Sequence, residues 1–126
     1  MTKREVLNQA GERIIRFVRD DAIETYEQTE VGFAKAAQYE ALYRRLRELP
    51  EGQRALVRDA VVKMVDLTLH NFLWMLEGGE GLELLFKTKD GEVINLTELS
   101  DGLAGELYSE DGWIAKFSKY PASVKP

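Results

Sequence analysis

The chain has 126 residues, of which 44% are hydrophobic and 31% charged, and its formal net charge at pH 7 is −5. These values are typical of a globular protein and exclude a disordered or fibrous chain. We therefore expect a single domain over residues 1–126. The sequence contains no cysteine, which excludes disulfides, thiolate metal ligands and a cysteine nucleophile and suits a reducing compartment.

Neither a secretory signal nor a membrane span is predicted. The N-terminal residues mix both charge signs from Lys3 onward, whereas a signal peptide carries an apolar core before a cleavage site. The most apolar uncharged stretch, residues 67–76, is about half as long as the roughly 20 residues that a transmembrane helix requires. We expect a cytoplasmic protein without membrane association.

The charge is unevenly distributed along the chain. Residues 1–63 carry 12 basic and 11 acidic groups, whereas residues 64–126 carry 5 basic and 11 acidic groups. An acidic half repels phosphates, so nucleic-acid binding is not expected. The same asymmetry favours a partner protein with a basic surface, although solubility explains it equally well.

Three helices are predicted in the first two thirds of the chain, over about residues 3–29, 33–49 and 53–77. In each, apolar residues recur at steps of three and four, which places them on one helix face. Pro50 separates the second and third helices, and Gly78-Gly79 ends the third. Towards its end the third helix is apolar on its other sides as well, so we expect it to be surrounded by protein, with Trp74 in the core.

The pattern changes after Gly81. Residues 82–88 and 93–96 are typical of two strands, joined by a hairpin turn at Asp90-Gly91. Short helices are expected near Thr97 and after Ser100. Residues 109–120 fit a helix that ends at Pro121 or a strand after a turn, and the spacing of their aromatic side chains favours the helix. The fold class is α+β and predominantly α, with three N-terminal helices, a long central third helix and a small C-terminal hairpin with short helices.

His70, Asp66 and Asn71 are the candidate residues for a small-molecule site or a small enzyme. Asp66 and His70 are four residues apart on the third helix and share a face, where a carboxylate can orient an imidazole as a general base. The alternative is that His70 and Asn71 are polar core residues that satisfy each other and the nearby backbone. The sequence supports both interpretations.

Two groups of residues are candidates for partner binding. Clustered carboxylates on the first helix can attract a basic partner or form a solvated face, and C-terminal aromatic residues can form a binding patch or close the core. The candidates are Asp20, Glu24, Glu27, Trp113, Phe117 and Tyr120.

No metal site and no cofactor are predicted, because a single histidine without cysteine has no recognisable ligand spacing. We expect a non-catalytic protein-interaction domain of the inhibitor, immunity or adaptor type. The alternatives are the site around Asp66, His70 and Asn71, and a homo-oligomer such as a homodimer that buries an aromatic patch in a two-fold interface.

Overall fold

The computed structural model describes residues 1–120, and its first 30 residues form one long helical segment. Helix α1 (Lys3–Ile14) continues through a π-helical turn (Ile15–Asp20) into α2 (Asp21–Glu30). A capping box begins α1, in which the Thr2 hydroxyl accepts from the Glu5 N–H and the Glu5 carboxylate accepts from the Thr2 N–H. The predicted extent of the first helix is confirmed, but its π-helical turn was not predicted.

Two further helices follow, α3 (Ala37–Arg47) and α4 (Glu51–Glu77). Pro50 lies at the N-terminus of α4, where its carbonyl accepts from the N–H groups of Gln53 and Arg54. The helix ends at Gly78. The long third helix is therefore confirmed, whereas the second helix is shorter at both ends than the pattern indicated.

The predicted hairpin is present and short. Strand β1 (Leu85–Lys87) pairs antiparallel with β2 (Val93–Asn95), so that Leu85 lies opposite Asn95 and Lys87 opposite Val93. The turn is closed by the Thr88 N–H, which donates to the Glu92 carbonyl at 2.8 Å. Gly91 has a φ of +89°, which explains a glycine in the turn.

The C-terminal part consists of short helical elements. Helix α5 (Leu96–Leu99) follows β2 directly, a 3-10 helix spans Ala104–Leu107, and α6 covers Trp113–Phe117. Within residues 109–120 the helical interpretation is therefore confirmed only for Trp113–Phe117, and the helix begins after Gly112 and not at Ser109. Pro121, the predicted end of that helix, lies outside the described residues.

The hydrophobic core lies between α1, the C-terminal half of α4 and the C-terminal elements. Its members include Leu7, Ile15, Leu73, Leu103 and Trp113, each almost completely buried. The indole of Trp113 packs directly against Gly11, where a Cβ atom would overlap the ring. This arrangement is the predicted α+β class with a predominance of helix.

The expectation that α4 is surrounded by protein is wrong for the part of the chain that the structure describes. Only Asp66, Leu69, Leu73 and Leu76 are buried on this helix, and Trp74 is 63% exposed. The hydrophobic pattern of α4 shows which side chains are apolar, but it does not show which of them are buried. In the structure, the other elements cover only one strip of the helix surface. A large part of its apolar surface is therefore uncovered.

None of the helices within residues 1–120 combines the length and the apolar character needed to cross a membrane.

Candidate functional site

A buried ion pair joins the π-helical turn to α4. The Nε of Arg19 donates to Asp66 Oδ1 at 2.6 Å, and its Nη2 donates to Oδ2 at 3.4 Å. Both side chains are almost completely buried. The carboxylate that the sequence suggested as a partner of His70 is therefore held by an arginine 47 residues away.

The same arginine also holds the end of the described chain. Its Nη1 donates to the Ser118 hydroxyl at 2.7 Å and to the Tyr120 carbonyl at 3.1 Å. Ser118 in turn donates to Asp20 Oδ1 at 2.6 Å, and the Lys119 N–H donates to Asp20 Oδ2 at 2.9 Å. Charge pairing and hydrogen bonds offset the cost of burying these groups. Through this network, Arg19 and Asp20 hold residues 118–120 in place.

His70 lies among aromatic side chains. Its ring stacks on Trp74, with 6.2 Å between ring centroids, and is tilted against Tyr108 at 5.8 Å. Its Nδ1 is buried without a hydrogen-bond partner among the described residues. Asn71, the third residue of the predicted small-molecule site, is exposed. The three candidates thus lie in different surroundings: Asp66 in the ion pair, His70 in an aromatic stack and Asn71 in solvent.

The residues predicted to bind a partner are divided between the surface and the interior. Asp20 and Trp113 are almost completely buried and present little surface to a partner. Phe117 is half-buried and packs against the core. Trp113 and Phe117 therefore close the core, which was one of the two roles considered for them.

Tyr120 lies beside the carboxylates of α2. Burial raises the pKa of its hydroxyl most, and a hydrogen bond to Glu27 raises it further, with smaller contributions from the charges of Glu24 and Asp20. The acidic cluster and one of the aromatic candidates are thus neighbours. Part of the cluster is engaged within the chain, because Asp20 holds residues 118–119 and Glu27 accepts from Tyr120.

An apolar groove lies between the N-terminal helical segment and α4. One wall is formed by Ile14, Val18 and Ala22, and the other by the uncovered face of α4. Leu84 lies among the residues that line the groove, whose volume is about 910 Å³. Representative side chains of the α4 wall are Val57, Val61, Met64, Val65 and Phe72.

The groove offers no free polar group to a ligand. Thr68 is the one lining residue with a polar side chain among those described, and its hydroxyl donates to the Met64 carbonyl at 2.7 Å. A pocket for a polar small molecule has a few polar groups that orient the ligand. This groove is suited to a ligand that is apolar along its whole length.

The uncovered face of α4 extends beyond the groove. Between residues 55 and 76 the charged side chains are Arg58, Asp59, Lys63 and Asp66. At 3.6 residues per turn these four lie within less than half of the helix circumference. The rest of the circumference is uncharged and includes several large exposed side chains, namely Leu56, Met64, Leu67, Phe72 and Trp74.

Metal binding has no candidate among residues 1–120, where no group of three histidine, aspartate or glutamate side chains is close enough to hold an ion.

No protein-family model, curated protein or solved structure has a significant match to this chain. The function must therefore be inferred from the chain's own surface.

The apolar residues of α4 are recognisable in the sequence, but the groove that they line is not. The sequence does indicate an uncovered apolar face, because α4 is apolar on more sides than one neighbouring layer of the fold can cover. Arg19 was missed altogether, since an arginine within a charged helix has no local feature that distinguishes a buried from an exposed position.

Proposed function

We propose that this chain is a non-catalytic protein-interaction domain that binds an amphipathic helix in the groove between α1–α2 and α4. The observation that carries this proposal is the uncharged, uncovered face of α4, with Met64, Phe72 and Trp74 each more than half exposed. Monomeric proteins rarely expose a contiguous apolar surface of more than a few hundred Å², and larger surfaces are typical of interaction sites.

A helix suits this groove better than a small molecule does. The groove is open along α4, and its lining has no side-chain group to orient a compact polar ligand. A helix satisfies its own backbone hydrogen bonds and presents apolar side chains at steps of three and four, so it needs only an apolar surface. Val18 and Met64, on the two walls, are positioned to contact such side chains.

The acidic cluster contributes less to this proposal than the sequence suggested. Asp20 is buried and Glu27 accepts a hydrogen bond from Tyr120, so two of its three carboxylates have internal partners. Glu24 remains on α2, the helix that contributes Ala22 to the groove wall. It can still steer a partner that is basic at the edge of its apolar face.

Site-specific photo-cross-linking tests the proposal. A benzophenone amino acid replaces Val61 in the groove wall and, as the matched control, Val93 on the hairpin, and the full chain is irradiated in its native cells. We expect covalent protein adducts from position 61 and not from position 93. The cross-linked peptide should carry apolar residues at steps of three and four.

Adducts with lipid or other small molecules alone at position 61, or no adduct there, would contradict the proposal. Equal protein adducts from both positions would also contradict it, since they would reflect collision and not a binding site.

A further inference from the structure

We infer that the helix bound in this groove is α4 of a second copy of the chain, so that two copies form an antiparallel, two-fold symmetric dimer. This inference rests on the proposed helix-binding function and names its partner. In such an interface the same surface is used by both copies, so each α4 is both the wall of one groove and the occupant of the other.

The uncharged character of the face supports self-association. A two-fold axis places each surface against its own copy, and like charges in the contact would repel each other. The residues that line the groove carry no charge, and the charged side chains between residues 55 and 76 lie on the other half of the circumference of α4. A surface made for an oppositely charged partner would carry charge instead.

The available area is close to what a stable dimer needs. The exposed parts of Val18, Leu56, Met64, Phe72 and Trp74, with Leu67, amount to roughly 600 Å² of apolar surface when a fully exposed large side chain is taken as about 150–250 Å². A stable interface takes about 800 Å² from each partner. The half-buried valines of the groove wall supply the remainder.

The helix dipole favours the antiparallel orientation. The side-chain charges at the N-terminal part of α4 are balanced within the chain, because Arg54 pairs with Glu51 and Arg58 pairs with Glu30 and Glu51. An antiparallel pair places the positive N-terminal end of each helix dipole next to the negative C-terminal end of the other. A parallel pair would place like ends together.

Met64 is the residue that we place nearest the two-fold axis. It lies near the middle of α4 (Glu51–Glu77) and is 52% exposed in the groove wall. In an antiparallel pair, residues at the axis meet their own copies, whereas residues near the ends, such as Leu56, meet the opposite end of the partner helix.

The oligomeric state of the purified full chain tests the inference. Sedimentation equilibrium should give a dimer for the wild type and for Val93→Lys, an equally exposed apolar position on the hairpin. Met64→Lys should weaken the dimer by about 100-fold or more, because it places two unpaired charges at the centre of the interface. Circular dichroism and urea unfolding show whether the variant keeps its fold.

Cysteine cross-linking provides a second measurement that does not depend on a destabilised variant. The chain has no cysteine of its own, so single cysteines report unambiguously. Under mild oxidation, Met64→Cys should form an intermolecular disulfide much faster than Leu56→Cys, since a disulfide requires Cα atoms about 4.4–6.8 Å apart.

The outcomes separate this inference from the proposed function. A monomeric wild type at about 100 μM, a dimer that Met64→Lys leaves intact, or equal disulfide formation at residues 56 and 64 would overturn the dimer. If position 61 then cross-links to a helix of another protein, the proposed function stands without it. If position 61 gives no protein adduct, both fail.

Discussion

Arg19 and Asp66, 47 residues apart in the chain, form a buried ion pair with 2.6 Å between Arg19 Nε and Asp66 Oδ1. The pair connects the π-helical turn to α4 on the side of α4 away from the groove. Asp20, the next residue in the π-helical turn, is also buried and binds residues 118 and 119. A π-helical turn is a rare feature, and here it accompanies the inward placement of two consecutive charged residues.

Removing one member of this ion pair should lower the stability of the folded protein. We expect Arg19→Met to lower the free energy of unfolding by about 3–5 kcal/mol, because Asp66 would be left as a buried carboxylate without its cation. Urea unfolding monitored by circular dichroism measures the change. The double variant Arg19→Met/Asp66→Leu should recover the part of the loss that comes from Asp66, while Asp20, whose Oδ1 lies 3.5 Å from Arg19 Nη1, keeps its hydrogen bonds from Ser118 and Lys119. A double variant as unstable as the single one would show that the loss does not come from the Asp66 carboxylate.

Gly11→Ala should destabilise the protein, whereas the same substitution within a helix usually stabilises it. Alanine is normally favoured over glycine by about 1 kcal/mol in a helix interior. At position 11, however, the new methyl group would overlap the ring of Trp113, and overpacking of this kind costs about 1–3 kcal/mol.

Gly52→Ala in the first turn of α4 is the matched control, because nothing lies within 4 Å of the added Cβ. We expect it to leave the thermal unfolding temperature unchanged or to raise it. A higher unfolding temperature for Gly11→Ala as well would show that Trp113 does not pack against this glycine.

Leu73→Ala and Trp74→Ala should differ strongly although the residues are adjacent on α4. Leu73 is 1% exposed, so its truncation removes core contacts and leaves a cavity, at a cost of about 2–5 kcal/mol. Trp74 is 63% exposed, and its truncation should cost less than about 1 kcal/mol for the folding of a single copy. Urea titration at low protein concentration compares the two. Equal losses would mean that the side of α4 bearing Trp74 is covered.

Stability should fall in alkaline solution as Tyr120 ionises. Its pKa is raised above the ordinary value of 10 by burial and by the hydrogen bond to Glu27. The folded state therefore binds the phenolic proton more tightly than the unfolded state, and this contribution is fully present below pH 10. It is lost as the pH rises above 10 towards the raised pKa of the folded state.

Unfolding free energies measured from pH 8 to pH 11.5, for the wild type and for Tyr120→Phe, test this expectation. The phenylalanine variant should lose less stability over that range. Tyr26 and Tyr108 also have raised pKa values, mainly through burial, so some alkaline destabilisation should remain. Identical pH profiles for the two proteins would contradict the role of Tyr120.

The apolar period of α4 predicted its length, and Gly78 marked its end, but the burial of its individual residues could not be predicted. Leu73 and Trp74 are equally apolar in sequence, and only the arrangement of α1 and the C-terminal elements buries one and exposes the other. The same limit applies to the candidate site. Asp66 and His70 share a helix face, yet the Asp66 carboxylate is held by Arg19 from a different helix.

The helices, the hairpin and the predominantly helical α+β class can be predicted from the sequence, because caps, turns and hydrophobic periods act between residues that are close along the chain. Asp90 with Gly91, at the hairpin turn, is such a local signal. Three relationships are visible only in the folded chain: Arg19 pairs with Asp66, Trp113 packs on Gly11, and α4 has an open apolar face. Those relationships depend on which elements pack together, and packing brings together side chains whose separation along the chain carries no local signal.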